Sequence, residues 1–238
     1  MNLEFDLAGL PRELAPQAAP GTWECAFKLL PDSGRVLVAG AGRGGISSLL
    51  FKNGFDVVSL DIHPEHFVAE GLSCEKADLN QTLAINSEVF DVILAVEVVE
   101  HLENPWGFLR EAIRVLRPNG KLIFTSPNVI SFPARLEFLS RGLLPYFREE
   151  SFVGCYHVTP IFPWAVERWT RTTVAKLESI TYSRVNWPSV NDVPRHWERR
   201  WVKLLKQLLP LNSMTGEISC YSITKAGCPT ISVSSHSA

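Results

Sequence analysis

The chain is predicted to fold as α/β, with a largely parallel sheet and helices on both faces. Three observations predict this. Short apolar runs alternate with amphipathic stretches from Arg35 to Ser126, the rhythm of repeated βαβ units. FDVILAV (90–96) is apolar almost throughout, as a strand covered on both faces must be. The first apolar run passes directly into glycines and then a helical pattern, VLVAGAGRGGISSLL (36–50). A strand–loop–helix of that kind aims backbone N–H groups at a ligand.

Residues 1–22 hold three prolines and little periodicity, and Trp23–Leu30 reads as a short helix, so 1–30 form a leader to a domain at 31–226. RVLVA (35–39) is the first strand. ISSLLFKN follows as a helix, stopped by Gly54. FDVVSL (55–60) is the second strand, HPEHFVAEG (63–71) a short helix, and Ser73–Ala77 a weak third strand. After the fourth strand (90–96), Asn104 and Pro105 supply an N-cap and a first-turn proline. Leu109, Ala112, Ile113 and Leu116 then recur at helical spacing. RPNG is the turn into KLIFTS (121–126), the fifth strand. Beyond Pro127, residues 132–170 are rich in Phe, Trp, Pro and Leu, which predicts an aromatic-rich cap inserted at about 129–172. LESITYSRV (177–185) and EISCYSITK (217–225) are the last strands. Between them, 194–210 carries Trp197, Trp201, Leu204, Leu205 and Leu208 on one helical stripe beside five basic residues. Such a helix packs on its own domain or makes weak contact with a membrane surface. The tail 227–238, with four serines, is expected to be disordered.

A net charge of −2 offers nothing to a polyanion, so no nucleic-acid partner is expected. The five cysteines are scattered without a C-x-x-C pair, which speaks against a disulfide framework or zinc site. Acids stand in MNLEFDLAGL where a signal peptide carries bases, and no apolar run approaches ~18 residues. A cytoplasmic location is expected.

The glycines allow two ligands. Gly40, Gly42 and Gly45 spell G-x-G-x-x-G, the dinucleotide fingerprint. Gly40, Gly42 and Gly44 spell G-x-G-x-G, used by methyl-transferring enzymes to hold S-adenosylmethionine. Asp61, closing the second strand about 20 residues on, suits the ribose hydroxyls of either. Asp78 in KADLNQ discriminates: it suits an adenine amino group, which a nicotinamide enzyme has no particular need to bind there. The fourth strand then ends in a polar cluster, Glu97, Glu100 and His101.

With those motifs in register, residues 35–128 resemble the core of the class I S-adenosylmethionine-dependent methyltransferases, nearest the branch of the ubiquinone-biosynthesis O-methyltransferases. The matching stretches are VLVAGAGRG, VVSLDIHP, KADLN, FDVILAVEVVEHLENP and LREAIRVLRPNGKLIFTSPN. The resemblance implies a Rossmann-like sheet of seven mostly parallel strands. It also implies S-adenosylmethionine contacts from Gly40, Gly42, Gly44, Asp61, Ile62, Asp78, Leu79 and Val96. One position departs: Val38 stands where the family usually carries an acid, near the methionine end of the cofactor.

The expected activity is methyl transfer to a small-molecule or lipid-linked acceptor, at a hydroxyl oxygen. A hydroxyl must lose its proton, which calls for a base, and His101 and His157 are assigned that role without a metal. In the alternative, Glu97, Glu100, His101 and His157 resemble the magnesium or manganese site of some ubiquinone-pathway and small-RNA 2′-O-methyltransferases. A further alternative, for which Val38 argues, is a protein that binds the cofactor without turnover. The cap side chains Phe132, Phe138, Leu143, Leu144, Tyr146, Phe147, Phe152, Phe162 and Trp164 point to an acceptor with an apolar part.

Overall fold

The computed structural model describes residues 5–15, 18–19, 21–183 and 216–227. The basic helix expected at 194–210 and almost all of the serine-rich tail lie outside the described residues. Seven strands form one sheet in the order β3-β2-β1-β4-β5-β7-β6. They are β1 (Arg35–Ala39), β2 (Asp56–Asp61), β3 (Cys74–Lys76), β4 (Phe90–Ala95), β5 (Leu116–Pro127), β6 (Ala175–Tyr182) and β7 (Ile218–Lys225). β1 to β5 pair in parallel, and β7 runs antiparallel to both β5 and β6. Strand order reverses between β1 and β4, so a crevice opens beyond their carboxyl ends.

Alternation along the central strands divides the interior in two. Ile93 and Ala95 of β4 face a core closed by Phe108, Leu109 and Ala112 of α3 (Pro105–Val115). Val92, Leu94 and Val96 face another, closed by Trp23 of α1 (Thr22–Phe27) and by Leu49 and Leu50 of α2 (Gly45–Lys52). The N-cap of α3 is the one the sequence predicts: the Asn104 side chain accepts from the Gly107 N–H at 2.9 Å, worth about 1 kcal/mol.

Two local expectations are corrected. RPNG is not a turn ahead of the fifth strand but a bulge inside it. Phe90 pairs with Leu116 and Val92 already with Lys121, while Asp91 anchors the bulge by accepting from Arg117 at 2.7 Å. Burial of Leu116 against the sheet starts the strand early. The helix expected over 63–71 is a single 3-10 turn, Pro64–His66. Beyond it the Val68 N–H donates to the Arg43 carbonyl at 3.1 Å, so the backbone serves the glycine loop instead of a helix.

After β5 come α4 (Phe132–Arg141), α5 (Glu149–Cys155) and α6 (Pro163–Thr170). Their surroundings differ. Ile161, Val166 and Trp169 are buried in the sheet's core, with α6 packed beside β6. On α4 and α5, by contrast, Phe138, Leu139 and Val153 are 59%, 84% and 70% exposed, a concentration of apolar surface unusual for a free-standing helix pair. Among the described residues no helix is long and apolar enough to cross a membrane.

Candidate active site

The crevice has two walls. The first is made of backbone. As β1 ends, the Gly40 and Ala41 N–H groups both donate to the Leu60 carbonyl at 2.9 Å, and the Gly42 N–H donates to Asp61 Oδ2 at 2.8 Å. Asp61 Oδ1 accepts from the His63 N–H, also at 2.8 Å. Each carboxylate oxygen thus keeps a second lone pair for another donor. Gly42 lies at φ 53, and a Cβ there would meet nothing within 4 Å among the described residues. Gly44 is enclosed. At φ 94, a Cβ would come within 2.7 Å of the Ala69 and Phe67 side chains, so only glycine fits. Residues before α1 cover the loop, with Arg43 Nε donating to the Glu13 carbonyl at 2.8 Å. Ile62 is about half exposed, while Leu79 and Val96 are buried. Asp78 Oδ1 accepts from the Asn80 N–H at 2.9 Å, and Asn80 Oδ1 accepts from the Asn104 N–H at 3.0 Å. This chain ties the exit of β3 to the start of α3.

Val38 is 1% exposed and packs in the cluster that holds Trp23, Leu94, Val96, Ile123 and Cys220. The surroundings of the departing position are apolar, and a lone carboxylate there would be costly to bury.

The second wall is made of side chains. Glu97 follows β4 in a left-handed conformation, φ 56, uncommon for a residue with a Cβ. Its N–H donates to Thr125 Oγ1, and the Thr125 hydroxyl donates to Glu97 Oε1, both at 2.8 Å. Burial pushes the Glu97 carboxyl up to about 7, against the opposing effect of the Thr125 bond. Glu100 lies in the 3-10 turn Val99–His101 and is fully buried, and neither carboxylate oxygen has a hydrogen-bond partner among the other described residues. Burial first, and then the charge of Glu97, hold it well above the ordinary carboxylate range.

The main chain of Glu100 brings the remote histidine in. Its carbonyl accepts from the Val158 and Thr159 N–H groups at 3.0 Å each, which sets His157 against His101 with ring centroids 4.8 Å apart. His157 Nδ1 lies 2.8 Å from the Tyr146 carbonyl and His101 Nδ1 3.3 Å from that of Tyr156. A carbonyl can only accept, so both Nδ1 atoms carry the proton and both Nε2 atoms present lone pairs. Desolvation lowers the His157 pKa, with His101 adding to it and the Tyr146 bond opposing. One donor atom from each of Glu100, His101 and His157 falls within 4.8 Å of the others. Two exposed tyrosines shape this wall at positive φ, Tyr146 at 67 and Tyr156 at 56. Neither carbonyl contact has a sequence signal, since any residue type supplies a carbonyl. Thr125 was likewise missed, because nothing in its spacing ties it to Glu97.

Residues 37–124 match the family profile described as "Methyltransferase domain". The matched stretch runs from β1 through most of β5 and stops before the segment that carries His157. Over 166 residues the chain is 32% identical to a protein of Azorhizobium caulinodans named ubiquinone biosynthesis O-methyltransferase, covering 65% of this chain and 59% of that one. A protein of the same name from Cereibacter sphaeroides is 33% identical over 108 residues, 42% of this chain and 44% of that one. The chain thus spans about half the length of these curated relatives. Among solved structures, a SAM-dependent methyltransferase from Archaeoglobus fulgidus superposes with a TM-score of 0.58 at 18% identity, over 85% of this chain and 90% of that one. One from Mesorhizobium loti does so with a TM-score of 0.57 at 14% identity, over 92% and 99%. Both share the Rossmann-like fold of this chain.

Proposed function

We propose that the chain transfers a methyl group from S-adenosylmethionine to a hydroxyl oxygen of a small-molecule acceptor with a substantial apolar part. The observation that carries this reading is the pair of Nε2 lone pairs on His101 and His157, beside a buried carboxylate at the carboxyl end of β4. The residues of the first wall suit the cofactor: Asp61 has a lone pair left on each oxygen for the two ribose hydroxyls, and Gly42 leaves room for close approach. Gly40 and Gly44 shape the loop, Asp78 takes the adenine amino group, and Ile62, Leu79 and Val96 supply apolar contact. When bound, the cofactor supplies a methyl group already activated by its sulfonium. The chain then has to align the acceptor, exclude water and accept the hydroxyl proton. His157 or His101 accepts that proton at Nε2. The Phe147 ring lies 5.6 Å from that of His157, and with the exposed side chains of α4 and α5 it favours an apolar acceptor. The O-methyltransferase names of the relatives in Azorhizobium and Cereibacter point the same way.

A second reading has its own observation. A fully buried carboxylate without a partner, within reach of two imidazole lone pairs, fits a divalent cation. Glu100, His101 and His157 would hold it, with Glu97 nearby, and it would make the acceptor hydroxyl more acidic. Carboxylate with imidazole suits manganese better than magnesium.

Calorimetry with S-adenosylmethionine, S-adenosylhomocysteine and NAD, followed by transfer of labelled methyl to a panel of hydroxyl acceptors with chelator or added manganese, tests both readings. S-adenosyl ligands should bind and NAD should not. Binding of NAD alone overturns the assignment. Tight S-adenosylmethionine binding without transfer to any acceptor identifies a binder that has lost turnover. Activity lost to chelator and restored by manganese selects the cation reading, and activity indifferent to chelator selects the histidine base.

A further inference from the structure

Behind Glu100 lies a group of buried polar atoms that neither the cofactor wall nor the histidines use. On the α3 and α6 side of the sheet, Ser126 Oγ, Ser219 Oγ, the Tyr221 hydroxyl and both oxygens of Glu100 are buried, and among the described residues none has a well-formed hydrogen bond, though the Ser219 and Tyr221 hydroxyls lie close to each other. Register places them together. Ser126 pairs with Ser219 across β5 and β7, and Phe124 pairs with Tyr221. Tyr221 and Ser219, two residues apart on one strand, share a face. The Tyr221 ring stacks on Phe124 at 4.5 Å and 13°, which holds the ring plane in place. Val99–His101, the turn that carries Glu100, packs on β5. The electrostatics agree with this placement. Burial pushes the Tyr221 phenol up, the adjacent Ser219 hydroxyl opposes that, and Glu100 is among the charges that disfavour its ionised form.

Buried polar groups in folded proteins nearly always find partners, since each left unmade is costly. Here a buried carboxyl with no partner among the other described residues lies on the same side of the sheet as a phenol that can donate. We propose that Tyr221 is a positioning residue whose hydroxyl donates to Glu100 through one water and turns the carboxyl toward His101 and His157. Ser126 and Ser219 complete the polar floor on which the two meet. Tyr221 touches no reacting atom; it sets the orientation of a group that does. The inference rests on the reading of Glu100, His101 and His157 as the reacting cluster.

Isotope-edited infrared spectroscopy of the full-length protein tests it. The wild-type minus Glu100→Gln difference spectrum identifies the Glu100 carboxyl band. In Tyr221→Phe, which keeps the stacked ring and should keep the melting temperature, that band should shift, because one hydrogen bond to it is gone. Ser219→Ala, which leaves the phenol in place, should shift it less. An unmoved band in Tyr221→Phe overturns the proposal, as does a larger shift in Ser219→Ala. Should Tyr221→Phe fail to fold, site-specific replacement of Tyr221 by 3-fluorotyrosine, a stronger donor, reads the same band: a shift supports the proposal and its absence overturns it. A manganese titration followed by electron paramagnetic resonance examines the underlying reading separately. If the cation reading holds, wild type binds the ion, and Tyr221→Phe binds it about 10-fold more weakly, as expected on losing a partner that orients a ligand. Wild type that binds no manganese while the band still shifts refutes the cation reading alone.

Discussion

The two walls of the crevice both begin where a parallel strand ends, and they are built by opposite means. The β1 wall works through backbone. Its N–H groups bond to Leu60 and Asp61, and Asp61, nineteen residues further along the chain, is the main side chain it needs. The β4 wall works through side chains, and it takes Glu97 from one turn, Thr125 from the next strand and His157 from a segment 56 residues beyond His101. The difference teaches that a backbone cradle can be written into one short stretch, whereas a cluster of polar side chains has to be assembled from several.

If the walls are separable in this way, substitutions should sort by wall. The largest effect is expected from His157→Ala. Loss of a general base lowers methyl transfer by about 10²–10⁴-fold, while calorimetric affinity for S-adenosylmethionine stays at the wild-type value. A parallel fall in cofactor affinity would show that the walls are coupled. Val38→Asp probes the apolar packing beneath both. With Val38 1% exposed in an apolar cluster, an unpaired carboxylate should cost about 3–5 kcal/mol in chemical denaturation. Tighter cofactor binding at unchanged stability would show instead that the cofactor's ammonium supplies the missing partner.

Asp61→Ala should act on the first wall alone and weaken cofactor binding by about 1.5–3 kcal/mol, from loss of charged hydrogen bonds. Its melting curve should move little, since the carboxylate is a surface group. Unchanged affinity by calorimetry removes Asp61 from the cofactor site.

The smallest effect is a change of slope with pH, confined to the second wall. Burial raises the Glu97 carboxyl from its ordinary 4.5 to about 7. Between those values the folded protein holds a proton that the unfolded chain has released. Stability in metal-free buffer is therefore greatest at the acidic end of the window and falls as pH rises through about 7. Glu100, raised in the same direction, adds to the slope, so Glu97→Gln should flatten the curve without levelling it. Equal slopes in the two proteins would place the Glu97 carboxyl in contact with water.

The first wall was legible in the sequence because local rules govern it. The fully apolar run of β4, the glycines after β1, the Asn104 cap and the acid ending β2 each follow from neighbours in the chain. Where those rules failed, a competing partner had won. RPNG became a bulge because Leu116 is buried against β4 and Asp91 holds Arg117. The stretch 63–71 gave up a helix because Val68 bonds to the loop at Arg43. On the second wall, Glu97, Glu100, His101 and His157 could be named as residues, but their arrangement could not.

By itself, then, the sequence determined the strand and helix rhythm, the glycine cradle and the acids beside it, since each depends on contacts a few residues apart. Only the tertiary structure decided that His157 meets His101, that Glu100 is buried without a partner among the other described residues, and that Tyr221 stacks on Phe124. Those contacts join β4, β5, β7 and the segment before α6. They arise from sheet register and main-chain hydrogen bonds, which residue type and spacing do not encode.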